Sequence, residues 1–425
     1  MHSEEAEPNS VADHSTEAIY RQHQVRSLGL AAVAFAASAP GQSFLISVFV
    51  DDFLAGTELS RTAFSILYAA GTVVSATSMI VLGRIVDRRG LRLSWFVVAA
   101  ALGAACGLAS VATGAVVAFL ALALLRTFGQ GAFSLVGTLL VAGNFRRRRG
   151  QAVALANLGL TLSSMALPPL IALLIIETDW RTAYRVLGVV LIAVILPLGL
   201  RVRAGPRRPD DAPAAEDGNN PPTPEAPYPE AVRPMGRRGP NLPTATSLRL
   251  LIILAAPPLI TTALTFHAVS ILADRGIDFL AAGTTVGVLG ATSALGVVIA
   301  GLVVDRLTTR GALTISSTVV LVASAILIVP TPNAAIAAFA VLGLGVGATN
   351  VLNGTVWART FGTAQLGRVQ GMAQSATITA AAIAPIVPAI SIALTGGHHA
   401  GLGVLVGVGL AATAAAITMP APRTQ

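Results

Sequence analysis

Two ionisable side chains, Arg126 and His267, stand deep inside long apolar runs of a 425-residue chain that is only 11% charged. A charge held in hydrocarbon is expensive and by default points to function. The Arg126 guanidinium can grip a carboxylate through two parallel hydrogen bonds. On a helix it shares its face with Gln130, Phe133 and Gly137, and none of the chain's twenty carboxylates falls in the middle of a run. Two readings stand: an anion or coupling contact facing a central cavity, or a structural arginine bonded to neighbouring carbonyls. His267 shares a face with Ser270 and Asp274 and lies roughly 10 Å along the helix from Asp274. An imidazole there could exchange a proton near physiological pH, or simply pack as a neutral ring.

Polar stripes give further candidates. Ser38 and Gln42 are four apart, and Pro40 between them removes a helix hydrogen bond and frees a carbonyl for a cavity or a neighbour. Tyr68, Thr72 and Ser75 form one stripe; Asn157, Thr161 and Ser164 another; Asn350, Asn353 and Trp357 a third; Gln370, Gln374 and Thr377 a fourth. Gln42, Tyr68, Asn157 and Asn350 are the expected cavity residues beside Arg126, and the serines and threonines are expected to join helices. Enzyme chemistry finds no footing. There is no paired-carboxylate site in a run, no metal-ligand spacing and no phosphate-binding glycine loop, so the expectation is no enzyme, no cofactor and no metal. His398–His399 reads as a loop dipeptide.

The elements that must position these groups are apolar runs long enough to cross a ~30 Å hydrocarbon core as helices. Twelve are expected, near 27–50, 62–82, 93–112, 115–143, 151–176, 182–201, 248–273, 280–304, 312–330, 334–357, 367–394 and 400–419. Residues 1–26 are polar and read as a disordered N-terminus with no cleavable signal. Residues 203–246 are rich in proline and charge and cannot bury a core, so they read as a linker. The expected organisation is an N-terminal six-helix bundle over 27–202, that linker, a C-terminal bundle over 247–419 and a tail over 420–425. Every basic residue is arginine, 28 in all. With the N-terminus inside, all but Arg61, Arg181, Arg185, Arg275 and the intraspan Arg126 fall on the inner side. That bias puts both termini and the linker in the cytoplasm, and makes the net charge of +8 an orientation signal rather than a nucleic-acid site.

A charged hinge organises the rest. GRIVDRRGLR at Gly83–Arg92 packs Arg84, Asp87, Arg88, Arg89 and Arg92 between two apolar runs, with Gly83 and Gly90 expected where the backbone turns. GLVVDRLTTRG at Gly301–Gly311 repeats the device with Asp305 and Arg306. Asp87 and Asp305 are 218 positions apart, Arg149 and Arg368 are 219 apart, and so are Pro169 and Pro388. Such agreement marks an internal duplication.

GRIVDRRG resembles the loop between the second and third helices of major facilitator superfamily transporters, and GLVVDRLTTRG sits where that family repeats it. RTFGQG at Arg126–Gly131 is similar to the family's arginine-bearing fourth-helix motif. NFRRRRGQAVALANLG at Asn144–Gly159, SRTAFS at Ser60–Ser65, TFHAVSILADRGI at Thr265–Ile277 and VWARTFGTAQLGRVQG at Val356–Gly371 resemble the monocarboxylate and oxalate–formate branch. That branch commonly carries a carboxylate-engaging arginine in its eighth helix, and here 280–304 has none. The resemblance implies an all-α integral membrane protein with twelve transmembrane helices in two six-helix bundles. It implies a secondary transporter of the cytoplasmic membrane working by alternating access. The substrate would be a small organic anion, moved by proton symport or exchange. Drug or metabolite efflux is the alternative within transport, and a non-transporting sensor or scaffold the alternative of another class. Gly83, Asp87, Arg88, Arg89, Gly90, Asp305 and Arg306 would form the conformational gate, with Arg126 and His267 coupling.

Overall fold

The structure, a computed structural model, describes residues 9–142, 145, 149–202, 244–303, 306–361 and 377–419, and these are helices joined by short connections, with no strand among them. Among the described residues ten helices are long and apolar enough to cross a membrane, and two shorter apolar ones stand with them. In chain order they are α1 (Arg21–Thr57), α2 (Arg61–Val86), α3 (Arg88–Ser110), α4 (Gly114–Val141), α5 (Ala152–Glu177) and α6 (Trp180–Arg201). After residues 203–243 come α7 (Ala255–Phe266), α8 (Phe279–Val303), α9 (Arg310–Ile326), α10 (Pro332–Val351), α11 (Thr377–Thr395) and α12 (His399–Ile417). Backbone groups in hydrocarbon have no water to bond, so an all-helical bundle satisfies them within each segment. Leucines, isoleucines and valines such as Val116, Leu162, Leu170, Leu302 and Leu394 remain exposed on the bundle surface, as lipid contact requires.

Three expectations need correction. The helix of α1 begins at Asn9, inside the segment read as disordered. No glycine or proline stands between Pro8 and Gly29, so nothing stops the helix from extending beyond its apolar part. The hinge is also narrower than expected. Helical backbone continues through Gly83–Arg89, and Gly90 alone turns, at φ 80° and ψ 161°. Arginines are good helix formers and Gly83 stays helical; only the left-handed φ at Gly90 calls for glycine. Lastly, α1 continues as helix to Thr57, past the expected end of the first run near 50, so Asp51 and Asp52 lie on it. The 203–246 linker lies outside the described residues up to Thr244, where the helix of α7 begins, and the 420–425 tail also lies outside them.

Two helices depart from regularity where they meet. Pro40 stops α1, which passes through a 3-10 turn at Ala39–Gly41 and restarts at Ser43. Opposite it, α4 takes the wider π geometry over Leu125–Phe133. A Cβ on Gly41 would sit 2.1 Å from the Leu125 carbonyl oxygen, and one on Gly129 would sit 2.7 Å from the Gly41 nitrogen. Only glycines allow backbones so close, and π segments of this kind recur at functional sites.

The halves meet along α5 with α8, α2 with α7 and α2 with α11. A Cβ on Gly287 would lie 2.5 Å from the Met165 carbonyl, so α5 and α8 touch backbone to backbone. Thr62 Oγ1 donates to the Ala389 carbonyl at 3.3 Å across the seam. Phe266 stacks on Phe64 with centroids 5.8 Å apart and meets the Tyr68 ring at a tilt, 4.4 Å away. Thr62 and Ala389 lie towards the face opposite the chain termini, and the aromatic cluster packs across the seam just inside it.

Candidate functional site

Arg126 lies twelve residues into α4, about 18 Å along a helix and so near mid-membrane. Its side chain is 1% exposed. Nε donates to Thr72 Oγ1 at 3.1 Å, and Nη1 donates to the Gly41 carbonyl at 2.9 Å. That carbonyl is free because the 3-10 turn breaks the α1 ladder beside it; Leu45 and Ile46 both donate to Gln42 instead. The guanidinium carbon lies 4.6 Å from the Tyr68 ring centroid, a cation–π contact. Ser75 Oγ donates to the Arg126 carbonyl. The stripe Tyr68, Thr72 and Ser75 is thus one binding face for a single arginine. Every partner is neutral, so the positive charge of Arg126 keeps no carboxylate counter-ion among the described residues.

The other candidates are distributed unevenly. Tyr68 is fully buried and shares a hydrogen bond of 2.7 Å with Ser43. Gln42 donates to Ser38 Oγ at 3.2 Å, on the same broken turn as Gly41. Asn157 is half-buried and donates back to the Val153 carbonyl of its own helix, away from Arg126. Asn350 is exposed at the end of α10. In the gate segment, Arg88, Arg89, Gly90 and Arg306 are exposed, whereas the Asp87 side chain and the whole of Asp305 lie outside the described residues. Asn353, Trp357, Gln370 and Gln374 have side chains outside them too.

His267 is where α7 breaks before the short helix Ala268–Ala273. It is 1% exposed, and its Nε2 lies 2.8 Å from the Pro385 carbonyl in α11. A carbonyl only accepts, so Nε2 carries the proton and Nδ1 is bare; Nδ1 is buried without a partner among the described residues. The residue that sequence reasoning missed is His398. It is buried, with Nδ1 at 2.5 Å from Asp274 Oδ2 and Nε2 at 3.1 Å from Ser270 Oγ. The rings of His267 and His398 are 6.0 Å apart. Only the crowding of His267, Ser270 and Asp274 on one face hinted that another group would join them. Burial pushes the His398 imidazole below its ordinary value, partly offset by Asp274 beside it.

A buried cation inside a bundle of membrane-length helices describes a polytopic membrane protein. The model of the Major Facilitator Superfamily matches residues 30–385, so the chain belongs to that family of membrane transporters. No curated protein sequence matches it. Among solved structures it is similar to the nucleoside transporter NupG, at 13% identity and TM-score 0.67, over 93% of this chain and 97% of that one. It is similar to a D-xylose–proton symporter at 16% identity and TM-score 0.67, over 94% and 98%. A bacterial homologue of the human lysosomal transporter Spinster, inward-facing and unoccupied, aligns at 13% identity and TM-score 0.65, over 93% and 92%.

Proposed function

We propose that this chain is a secondary transporter of the cytoplasmic membrane, with both termini in the cytoplasm, that carries a small organic anion of monocarboxylate type. One observation carries the anion reading. Arg126 is a permanent charge near mid-membrane whose partners are all neutral. A substrate carboxylate entering from the cytoplasmic side supplies the missing counter-charge for part of the cycle. Phe64, Tyr68 and Phe266 pack across the seam towards the face away from the termini, and a seal there supports a form that loads and releases on the cytoplasmic side. Alternating access then consists of opening that aromatic seal while the cytoplasmic ends close around Gly90 and its downstream counterpart. Protons drive symport or exchange through His267.

One observation favours a second reading, efflux of a drug or metabolite: Arg126 is held within the N-terminal half by Thr72, Gly41 and Tyr68, as a structural arginine would be. Purified Arg126→Lys and Arg126→Ala decide between the two when carboxylate binding and melting temperature are measured on the same samples. The anion reading expects Arg126→Lys to weaken binding at least tenfold in protein that remains folded. Unchanged carboxylate affinity with a lowered melting temperature would overturn it in favour of efflux.

A further inference from the structure

We propose that His398, Asp274, Ser270 and His267 form a proton-binding site on the seam between the two halves, and that loading it parts the halves at the face away from the termini. The inference rests on reading the chain as a transporter with two conformations. His398 connects the outside to the interior: its imidazole is buried, while the Asp274 side chain that accepts from it is 48% exposed. A proton arriving from water at that face therefore has a path inward.

The hydrogen-bond inventory allows two protonation states of one geometry. Ser270 Oγ lies 3.1 Å from His398 Nε2 and 3.1 Å from the His267 carbonyl, and a hydroxyl has one proton to give. With His398 neutral, Nδ1–H donates to Asp274 and Nε2 accepts the Ser270 hydroxyl. With one proton added from bulk water, both ring nitrogens donate, and the Ser270 hydroxyl turns to the His267 carbonyl. Neither state leaves a buried donor unmatched, and the His267 carbonyl stays satisfied in both because it also accepts from the Ile271 N–H. Behind it, the bare, buried Nδ1 of His267 offers a second acceptor on the same cluster.

The added charge falls beside cations of both halves. Arg61, at the start of α2 in the N-terminal half, bears electrostatically on both imidazoles, and its Nη1 is buried without a partner among the described residues. Asp51 pairs with Arg61 and offsets it in part. On the C-terminal side, Arg275 also bears on His398, Asp274 is the neutralising carboxylate, and the adjoining His399 is exposed. Loading the cluster therefore sets an imidazolium against Arg61 across a contact held by Thr62, Ala389 and the Phe266 stack. Because burial holds the His398 imidazole low, the site fills only on the acidic side of neutrality.

The test needs no substrate. Val111 in the α3–α4 connection and Val329 in the α9–α10 connection are exposed on this face, one in each half. With Cys106→Ala, Val111→Cys and Val329→Cys, spin labels on the full chain in nanodiscs report the separation from pH 8 to pH 5. The expected result is a longer distance at acid pH. His398→Gln should abolish the response, and Asp274→Asn should move its midpoint down by about one pH unit. A wild-type distance that ignores pH, or a response that survives in His398→Gln with His267→Gln, overturns the proposal. If His398→Gln alters the pH 8 distance, Ser270→Ala decides: a weakened response supports the site, and an unchanged one overturns it. An intact pH response in protein that fails to bind carboxylates would refute the anion reading and leave the proton site standing. Carboxylate flux with no His398-dependent response would do the reverse.

Discussion

Arg126 Nη1 donates to the Gly41 carbonyl at 2.9 Å, joining the break in α1 to the π segment of α4. The same guanidinium uses Nε on Thr72, so three helices converge on one cation. Thr72→Val keeps the shape of the side chain and removes the acceptor. A buried charged donor left unmatched costs about 1–3 kcal/mol, so the variant should melt measurably lower in detergent by differential scanning fluorimetry. A melting temperature equal to wild type would mean that the Thr72 bond adds nothing.

The close approach of Gly41 and Gly129 predicts a sharp contrast among glycines. Gly129→Ala would place a methyl 2.7 Å from backbone on α1, and backbone cannot swing aside as a side chain can. Overpacking of this kind costs about 1–3 kcal/mol, and parting the helices also stretches the Arg126 bond to Gly41. Gly29→Ala meets no atom within 4 Å and should leave stability unchanged or slightly raised. The two melting curves, measured side by side, check the claim.

At the hinge the contrast lies in conformation rather than space. Gly90 and Gly83 both have open surroundings, but only Gly90 has a positive φ. Gly90→Ala should therefore destabilise by about 1–2 kcal/mol, while Gly83→Ala should stabilise its helix by up to about 1 kcal/mol. Equal effects at both positions would show that the turn is not confined to Gly90.

How far the sequence could be read follows from which interactions are local. The helices were legible because ~20 apolar residues leave a chain in hydrocarbon no other way to satisfy its backbone. The break at Pro40 was legible too, since proline acts on its own turn, but the free Gly41 carbonyl was not, because it follows from the 3-10 turn beyond the proline. The π segment of α4 was not: it exists where Gly41 and Gly129 bring two backbones together, a tertiary event that RTFGQG does not display. The stripe Tyr68, Thr72 and Ser75 was visible, yet its service to Arg126 rather than to an open cavity depends on how α2 and α4 pack. His398 escaped notice because its partner Asp274 lies 124 residues earlier, and only the folded chain lays α12 beside the end of α7.

Asp179 offers a pH test outside the membrane. It caps the helix that begins at Trp180, accepting from the Thr182 N–H at 2.9 Å and from the Thr182 hydroxyl at 2.7 Å. Those bonds hold its carboxyl below the ordinary value. A group lowered in the folded state contributes stability above its unfolded pKa, near 4, and loses it as pH falls through the lower folded one. Asp179→Ala should therefore melt below wild type at pH 6, with the gap closing towards pH 3. A gap independent of pH would show that the cap acts through something other than its charge.

The connection between the halves makes the last prediction. The α5–α8 contact brings Gly287 within reach of the Met165 carbonyl, Thr62 bonds Ala389, and Phe266 sits against Phe64 and Tyr68. These contacts join residues before position 203 to residues after position 243 without using the chain between. The sequence between them is rich in proline and charge, with arginines at Arg207, Arg237 and Arg238 that trypsin can cut. Limited trypsinolysis of the protein in mild detergent should then give two fragments that co-elute as one species on size exclusion and keep the intact melting temperature. If the fragments separate, or the melting temperature falls with cleavage, the intervening segment holds the halves together and the seam contacts alone do not suffice.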